Sequence, residues 1–186
     1  MPRPRRVHLI NQMPEKYPKR KNIRLSYYGY TTPGAYLVTI CSHNRKCIFG
    51  KIEEGKVQLN EIGNMVKTCW QEIPKHFKEV RLDEYVVMPN HLHGILIILD
   101  ETGEACLAPT SEPAKSKKKT LGAVVGSFKS SVTRRVRISG FIRGKAIWQR
   151  GYYEHVVRNI VDLEDIREYI ANNPARWSND SQFTGC

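Results

Sequence analysis

Apolar and polar positions along this chain follow two periods, and each predicts its own kind of element. Tyr36-Leu37-Val38-Thr39-Ile40 is a β-branched, aromatic run that predicts a strand, with a loop after it over Ser42–Lys46. Around Glu53-Glu54-Gly55, the stretches Cys47–Lys51 and Lys56–Leu59 predict two short strands or edge segments. Asn60 then reads as a helix cap, because Ile62, Met65, Val66, Cys69, Trp70 and Ile73 recur at helical spacing up to Pro74. A buried strand is expected over Tyr85–Met88; Pro89-Asn90 breaks it, and His91–Leu99 is the next. Residues 100–120 mix Pro, Ser, Glu and Lys without a period and read as a flexible loop. Leu121, Val124, Val125, Phe128, Val132 and Val136 mark one face of a helix. Leu163, Ile166 and Ile170 stripe a last helix over Val161–Asn172, which Asn173-Pro174 ends. The order of elements predicts an α+β domain, most simply an antiparallel sheet with helices on one face.

At 186 residues the chain is long enough for one cored domain. Residues 1–24 form a basic, Pro-punctuated arm, 25–178 the domain, and 179–186 a tail. No apolar run reaches membrane-spanning length, and the basic start lacks the apolar segment of a secretion signal, so a cytoplasmic location is expected. The five cysteines are odd in number and widely spaced, which suits a reducing compartment rather than a disulfide frame. Cys41-x-His43-x3-Cys47 has zinc-like spacing, but no second pair completes four ligands. The net charge of +12 changes the picture most, since it favours a polyanionic partner, most often nucleic acid. Basic residues gather in the N-terminal arm, in Lys115–Lys119 and along Lys129–Arg150.

Candidate chemistry begins at His91-Leu92-His93. Strand side chains alternate faces, so the two imidazoles point the same way and make half of a divalent-metal site. The plainer alternative is two histidines packed on a sheet face. Tyr169 and Asn173 lie four apart at the end of the last helix and so face the same direction. If that helix crosses the sheet near the histidines, Asn173 supplies a carboxamide oxygen and Tyr169 reaches a bound phosphate. Such oxygen and imidazole donors suit Mg²⁺ or Mn²⁺, and tyrosine is a competent nucleophile toward phosphorus. On the helix marked by Val124 and Phe128, Lys129, Arg134 and Arg137 lie off the apolar stripe among Ser and Thr residues. They are candidate phosphate contacts or a solvated face. The stretch 147–159 carries Trp148, Arg150, Tyr152, Tyr153, His155 and Arg158, a mixture suited to stacking bases and gripping phosphates, or else a core Trp with polar neighbours. Tyr152 and Tyr153 also compete with Tyr169 as nucleophile, but neither has a partner ligand at helical spacing.

Three stretches together resemble a known family. His91-Leu92-His93 after Val87-Met88-Pro89-Asn90 is similar to the His-hydrophobic-His signature of the HUH single-tyrosine transposases, and among them most resembles the REP-associated tyrosine transposases. Residues 147–159 and Ile166-Arg167-Glu168-Tyr169-Ile170-Ala171-Asn172-Asn173-Pro174 resemble the same branch in order and spacing, so the likeness spans roughly Tyr30 to Trp177. It implies a ferredoxin-like (RRM-like) antiparallel sheet displaying the histidines, with helices packed on it. It also implies His91, His93 and Asn173 as ligands of Mg²⁺ or Mn²⁺, and Tyr169 as nucleophile. The implied partner is single-stranded, hairpin or palindromic-repeat DNA, nicked through a 5′-phosphotyrosine and rejoined by a nucleoid-associated enzyme. Family members act as monomers or as homodimers. Two other classes compete: a non-catalytic single-stranded nucleic-acid-binding module, and a metal hydrolase that attacks phosphodiesters with water.

Overall fold

All eight residues of β1 (Gly34–Cys41) are buried, so this strand has cover on both faces. In the computed structural model, which describes residues 33–100, 103, 120–142, 144–179 and 182–183, β1 lies inside a four-stranded antiparallel sheet. Its neighbours are β5 (His91–Ile98) on one side and β6 (Tyr153–Val157) on the other, with β4 (Val80–Val87) beyond β5. A separate hairpin is formed by β2 (Gly50–Glu53) and β3 (Lys56–Leu59). The helices are α1 (Glu61–Gln71), the single turn α2 (Ile73–His76), α3 (Leu121–Ile138) and α4 (Ile160–Asn172). Setting the hairpin and α2 aside, β1–α1–β4–β5–α3–β6 with strand order β4-β5-β1-β6 is the ferredoxin-like arrangement. The expected N-terminal arm, most of the expected 100–120 loop and the end of the expected tail lie outside the described residues.

Strand alternation sorts the sheet into two cores. Tyr36, Val38, Ile40, Leu92, Leu96 and Ile98 face α1 and α3, where they meet Val66, Trp70, Val124, Phe128 and Val132. Ala35, Leu37 and Ile95 face the other way, against Leu163, Ile166 and Ile170 of α4. The expectation of helices on one face is therefore corrected: β1 and β5 read as near-continuous apolar runs, and such strands need cover on both sides. Gly94 shows how tight the first core is. A Cβ there would stand 2.4 Å from Cζ2 of Trp70, so the indole rests directly on the β5 backbone.

Local signals explain most boundaries. The Asn60 side chain accepts from the Gly63 amide, Thr120 from Ala123 and Asn159 from Asp162, so α1, α3 and α4 each begin on a side-chain cap. Two boundaries differ from expectation. Strand β4 begins at Val80 rather than Tyr85, its charged Arg81, Asp83 and Glu84 hiding the pattern, with a register shift between Leu82 and Tyr85. Strand β6 occupies part of the stretch expected to hold DNA contacts. Cys41 and Cys69 are free thiols, whereas Cys47 is disulfide-bonded, which departs from the reduced reading of the cysteines. Among the described residues, no helix is long and apolar enough to cross a membrane.

Candidate functional site

The α4 face of the sheet changes character along β5. Ile95 and Ile97 pack on α4, but the next two positions on that face are His93 and His91. Register places Thr39 opposite His93 and Cys41 opposite His91 on β1. The two imidazole rings stand edge to face with centroids 4.4 Å apart, and both are buried. The helix brings Tyr169 onto them: its hydroxyl lies 3.2 Å from Nε2 of His93, and the two rings are 5.2 Å apart. Asn173, the C-cap of α4 one turn further on, is buried as well. Trp177 then stands 5.8 Å from the His91 ring, with Phe183 edge-on to it.

Two devices hold α4 in this place. Its apolar stripe fills the smaller core, and Arg167, two residues before Tyr169, grips Asp83 at the β4 irregularity. Nε and Nη2 of that guanidinium donate to the two carboxylate oxygens at 2.8 and 2.6 Å. The hydrogen bond from Arg167 holds the Asp83 carboxyl below the usual carboxylate range.

The donor chemistry suits a divalent ion. His91 Nδ1 lies 2.8 Å from Asn90 Oδ1 and His93 Nδ1 lies 2.8 Å from Thr39 Oγ1, so each ring is gripped at Nδ1, and Nε2 is the nitrogen each would offer a metal. Asn173 Oδ1, itself buried, adds a hard oxygen. Among the described residues no group of three or more His, Cys, Asp or Glu could hold a metal. A metal here would therefore rest on the histidine pair plus the Asn173 carboxamide.

The remaining predicted residues divide. Trp148 is buried between Phe49 and Phe128, at ring distances of 5.2 and 5.6 Å, and its Nε1 donates to the Lys129 carbonyl. The indole thus packs against the core, and it also lines a surface groove together with Gln149 and Arg150. Lys129 spends its ammonium on the carbonyls of Gln149 and Gly151 at 2.7 and 2.9 Å, and burial pushes its pKa down, so it staples α3 to the 149–151 turn. Tyr152 packs against the α1/α3 core. His155 is engaged by the Asp162 carboxylate at 3.1 Å, and the same carboxylate accepts from the Arg158 amide.

Other candidates stay on the surface. Arg134 and Arg137 line a groove on α3 of about 450 Å³ with Ser130 and Thr133. Arg150 lines a larger one, about 620 Å³, with His43, Arg45 and Gln149. That groove adjoins the histidines, because the amide of Ser42 donates to the Asn90 carbonyl and the Gln149 amide to the Cys41 carbonyl. Tyr153, 44% exposed, pairs with Thr39, which pairs with His93, so it lies on the histidine face two strands away. Burial of its hydroxyl raises its pKa.

Sequence reasoning missed Thr39, Asn90, Asp83 and Arg167 as parts of the site. Thr39 had a signal in its place at the polar end of an apolar strand. Asn90 read only as a strand break, and the Asp83–Arg167 pair, 84 residues apart, has no local signal.

No family model matches the chain. An uncharacterized protein of Haemophilus influenzae is 43% identical over 169 residues, covering 88% of this chain and 93% of its own. Among solved structures, a REP-associated tyrosine transposase bound to a REP hairpin superposes with a TM-score of 0.57 at 17% identity, over 87% of this chain and 76% of its own.

Proposed function

The chain belongs to one family with the Haemophilus influenzae protein and carries the fold of the REP-associated tyrosine transposase, and from that premise we propose that it is a metal-dependent DNA strand transferase. The observation that supports this reading is the approach of the Tyr169 hydroxyl to His93 Nε2 beside His91, which joins a tyrosine hydroxyl and two imidazoles from distant parts of the chain. A DNA-binding module has no use for that arrangement. A water-using hydrolase has no use for a tyrosine at its centre.

In this reading Tyr169 Oη attacks the scissile phosphorus as its proton is lost. A bond forms from Oη to phosphorus, the bond to the departing 3′ oxygen breaks, and that oxygen takes up a proton. One phosphodiester replaces another, so a second 3′-hydroxyl reverses the step without external energy. His91, His93 and Asn173 would hold Mg²⁺ or Mn²⁺, which when bound supplies Lewis-acid polarisation of the phosphate. Thr39 and Asn90 orient the two rings, and the Arg167–Asp83 fork fixes the helix that carries the nucleophile. Trp177 stands beside the His91 ring and Phe183 packs edge-on against Trp177, so these aromatics border the site. The groove of His43, Arg45 and Arg150 is the basic surface that adjoins the site, and Tyr153 is the exposed aromatic on its face.

The test is covalent trapping. Labelled single-stranded hairpin DNA from the flanks of the gene is mixed with protein and Mn²⁺ and run on a denaturing gel. A shifted band that needs the metal and disappears with chelator or His91→Ala is expected. Tight binding with no band in any metal would sink the transferase and leave the binding module. Metal-dependent cleavage that persists in Tyr169→Phe would favour the hydrolase.

A further inference from the structure

The two histidines of the site are wired differently, and the difference assigns a role to Asn90. Its carboxamide is fully buried. Nδ2 lies 3.2 Å from the Arg45 carbonyl oxygen and 2.8 Å from that of Gln182. Carbonyl oxygens only accept, so the atom facing both of them is the amino group, and the atom facing His91 is the amide oxygen. Oδ1 in turn only accepts. The nitrogen of His91 that it meets at 2.8 Å, Nδ1, must therefore carry the proton, and Nε2 keeps its lone pair. Reversing the carboxamide would set its oxygen against two carbonyls and forfeit two buried hydrogen bonds.

His93 is met by hydroxyls instead. Its Nδ1 meets the Thr39 hydroxyl and its Nε2 the Tyr169 hydroxyl, and both hydroxyls can donate or accept. One ring is thus set in a single tautomer by a group with no choice, and the other can follow its partners.

We propose that Asn90 is a positioning residue that locks His91 in the Nδ1–H tautomer and so presents Nε2 as a preset donor to a divalent ion. The Asn90 amino group does the complementary work: it ties the His43–Arg45 turn and Gln182 to the same carboxamide. The lock is built from groups 45 and 92 residues away, so it exists only in the folded chain. The metal half of this inference rests on the proposed function; the tautomer half does not.

The experiment reads both halves on the same protein. In metal-free, ¹⁵N-labelled protein in mildly alkaline buffer, long-range imidazole correlations report which His91 nitrogen is protonated. Calorimetric titration with Mn²⁺ alone reports affinity. Wild type is expected to show protonated Nδ1 and unprotonated Nε2. Asn90→Ala is expected to lose that pattern and to bind Mn²⁺ about 10–100-fold more weakly, as loss of a partner behind a ligating histidine does. Asn90→Asp retains the acceptor but sets a second oxygen against two carbonyls, so it is expected to keep the tautomer at a cost in stability; if neither variant folds, the wild-type spectrum still tests the lock. Wild-type His91 protonated at Nε2, or an Asn90→Ala protein with unchanged tautomer and affinity, would overturn the proposal. Absence of Mn²⁺ binding by wild type would instead overturn the metal reading, with the tautomer signal still deciding for or against the lock.

Discussion

The two faces of one sheet do opposite jobs with the same strands. Toward α1 and α3, β1 and β5 present Tyr36, Val38, Ile40, Leu92, Leu96 and Ile98, and the space is filled by Trp70, Phe128 and Trp148. Burial of large apolar side chains, at roughly 1.5–3 kcal/mol each, makes that face the source of stability. Toward α4 the same strands present Leu37 and Ile95 and then, at one end, Thr39, Cys41, His91 and His93. That end is just as buried, yet it is filled with polar groups gripped by hydrogen bonds. Burying such groups gains little stability and costs some wherever a bond is imperfect. An apolar face therefore carries a polar one, and because side chains alternate, a single residue step separates them.

The comparison breaks most sharply at the nucleophile. Tyr169→Phe is expected to remove the covalent DNA adduct entirely while leaving the melting temperature nearly unchanged, as measured by trapping gel and thermal denaturation on the same preparation. A large loss of stability would mean the site face bears weight that this account gives to the other.

Gly94→Ala tests the opposite face through the same strand. Its new methyl would run into the fully buried Trp70 ring. Overpacking of this kind costs about 1–3 kcal/mol, read by denaturant titration. An unchanged midpoint would show that the Trp70 contact is slack.

Acid should expose the clamp on α4. Asp83 has its pKa lowered by Arg167, so its stabilisation is full above the ordinary carboxylate range and is lost as pH falls through the depressed folded value. Arg167 is 44% exposed, which limits the contribution to about 1 kcal/mol or less. The stability gap between wild type and Arg167→Ala is expected to be constant near neutrality and to close as pH drops below about 4. A gap that widens in acid would contradict the assignment.

Tyr153→Phe is the smallest perturbation. It shares the face of His93 but stands two strands away, so adduct formation should persist with a change in DNA affinity of a few-fold at most.

Much of this was legible in the chain because periodicity is local. The same-face histidines, the α4 stripe and the Asn60 cap all follow from spacing alone. What escaped depends on contacts that spacing does not carry. The packing of α3 against the 147–151 segment, which anchors Trp148 beside Phe128 and ties Lys129 to the 149–151 turn, has no signal in spacing. Strand β6 was hidden because Glu154 and His155 interrupt its apolar positions, and its partner β1 is more than a hundred residues upstream. Asn90 read as punctuation because the carbonyls that orient its carboxamide, those of Arg45 and Gln182, lie 45 and 92 residues away.

The measurement closest to the central claim is the address of the covalent bond. After trapping on hairpin DNA with Mn²⁺, nuclease trimming and tryptic digestion, the nucleotide can be located by mass spectrometry. Tyr169 falls in the peptide Glu168–Arg176 and Tyr153 in Gly151–Arg158, so the two candidates separate cleanly. The account predicts a nucleotide remnant on Tyr169 within Glu168–Arg176 and none elsewhere. A remnant on Gly151–Arg158 would contradict it, moving the nucleophile from the helix to the edge of the sheet.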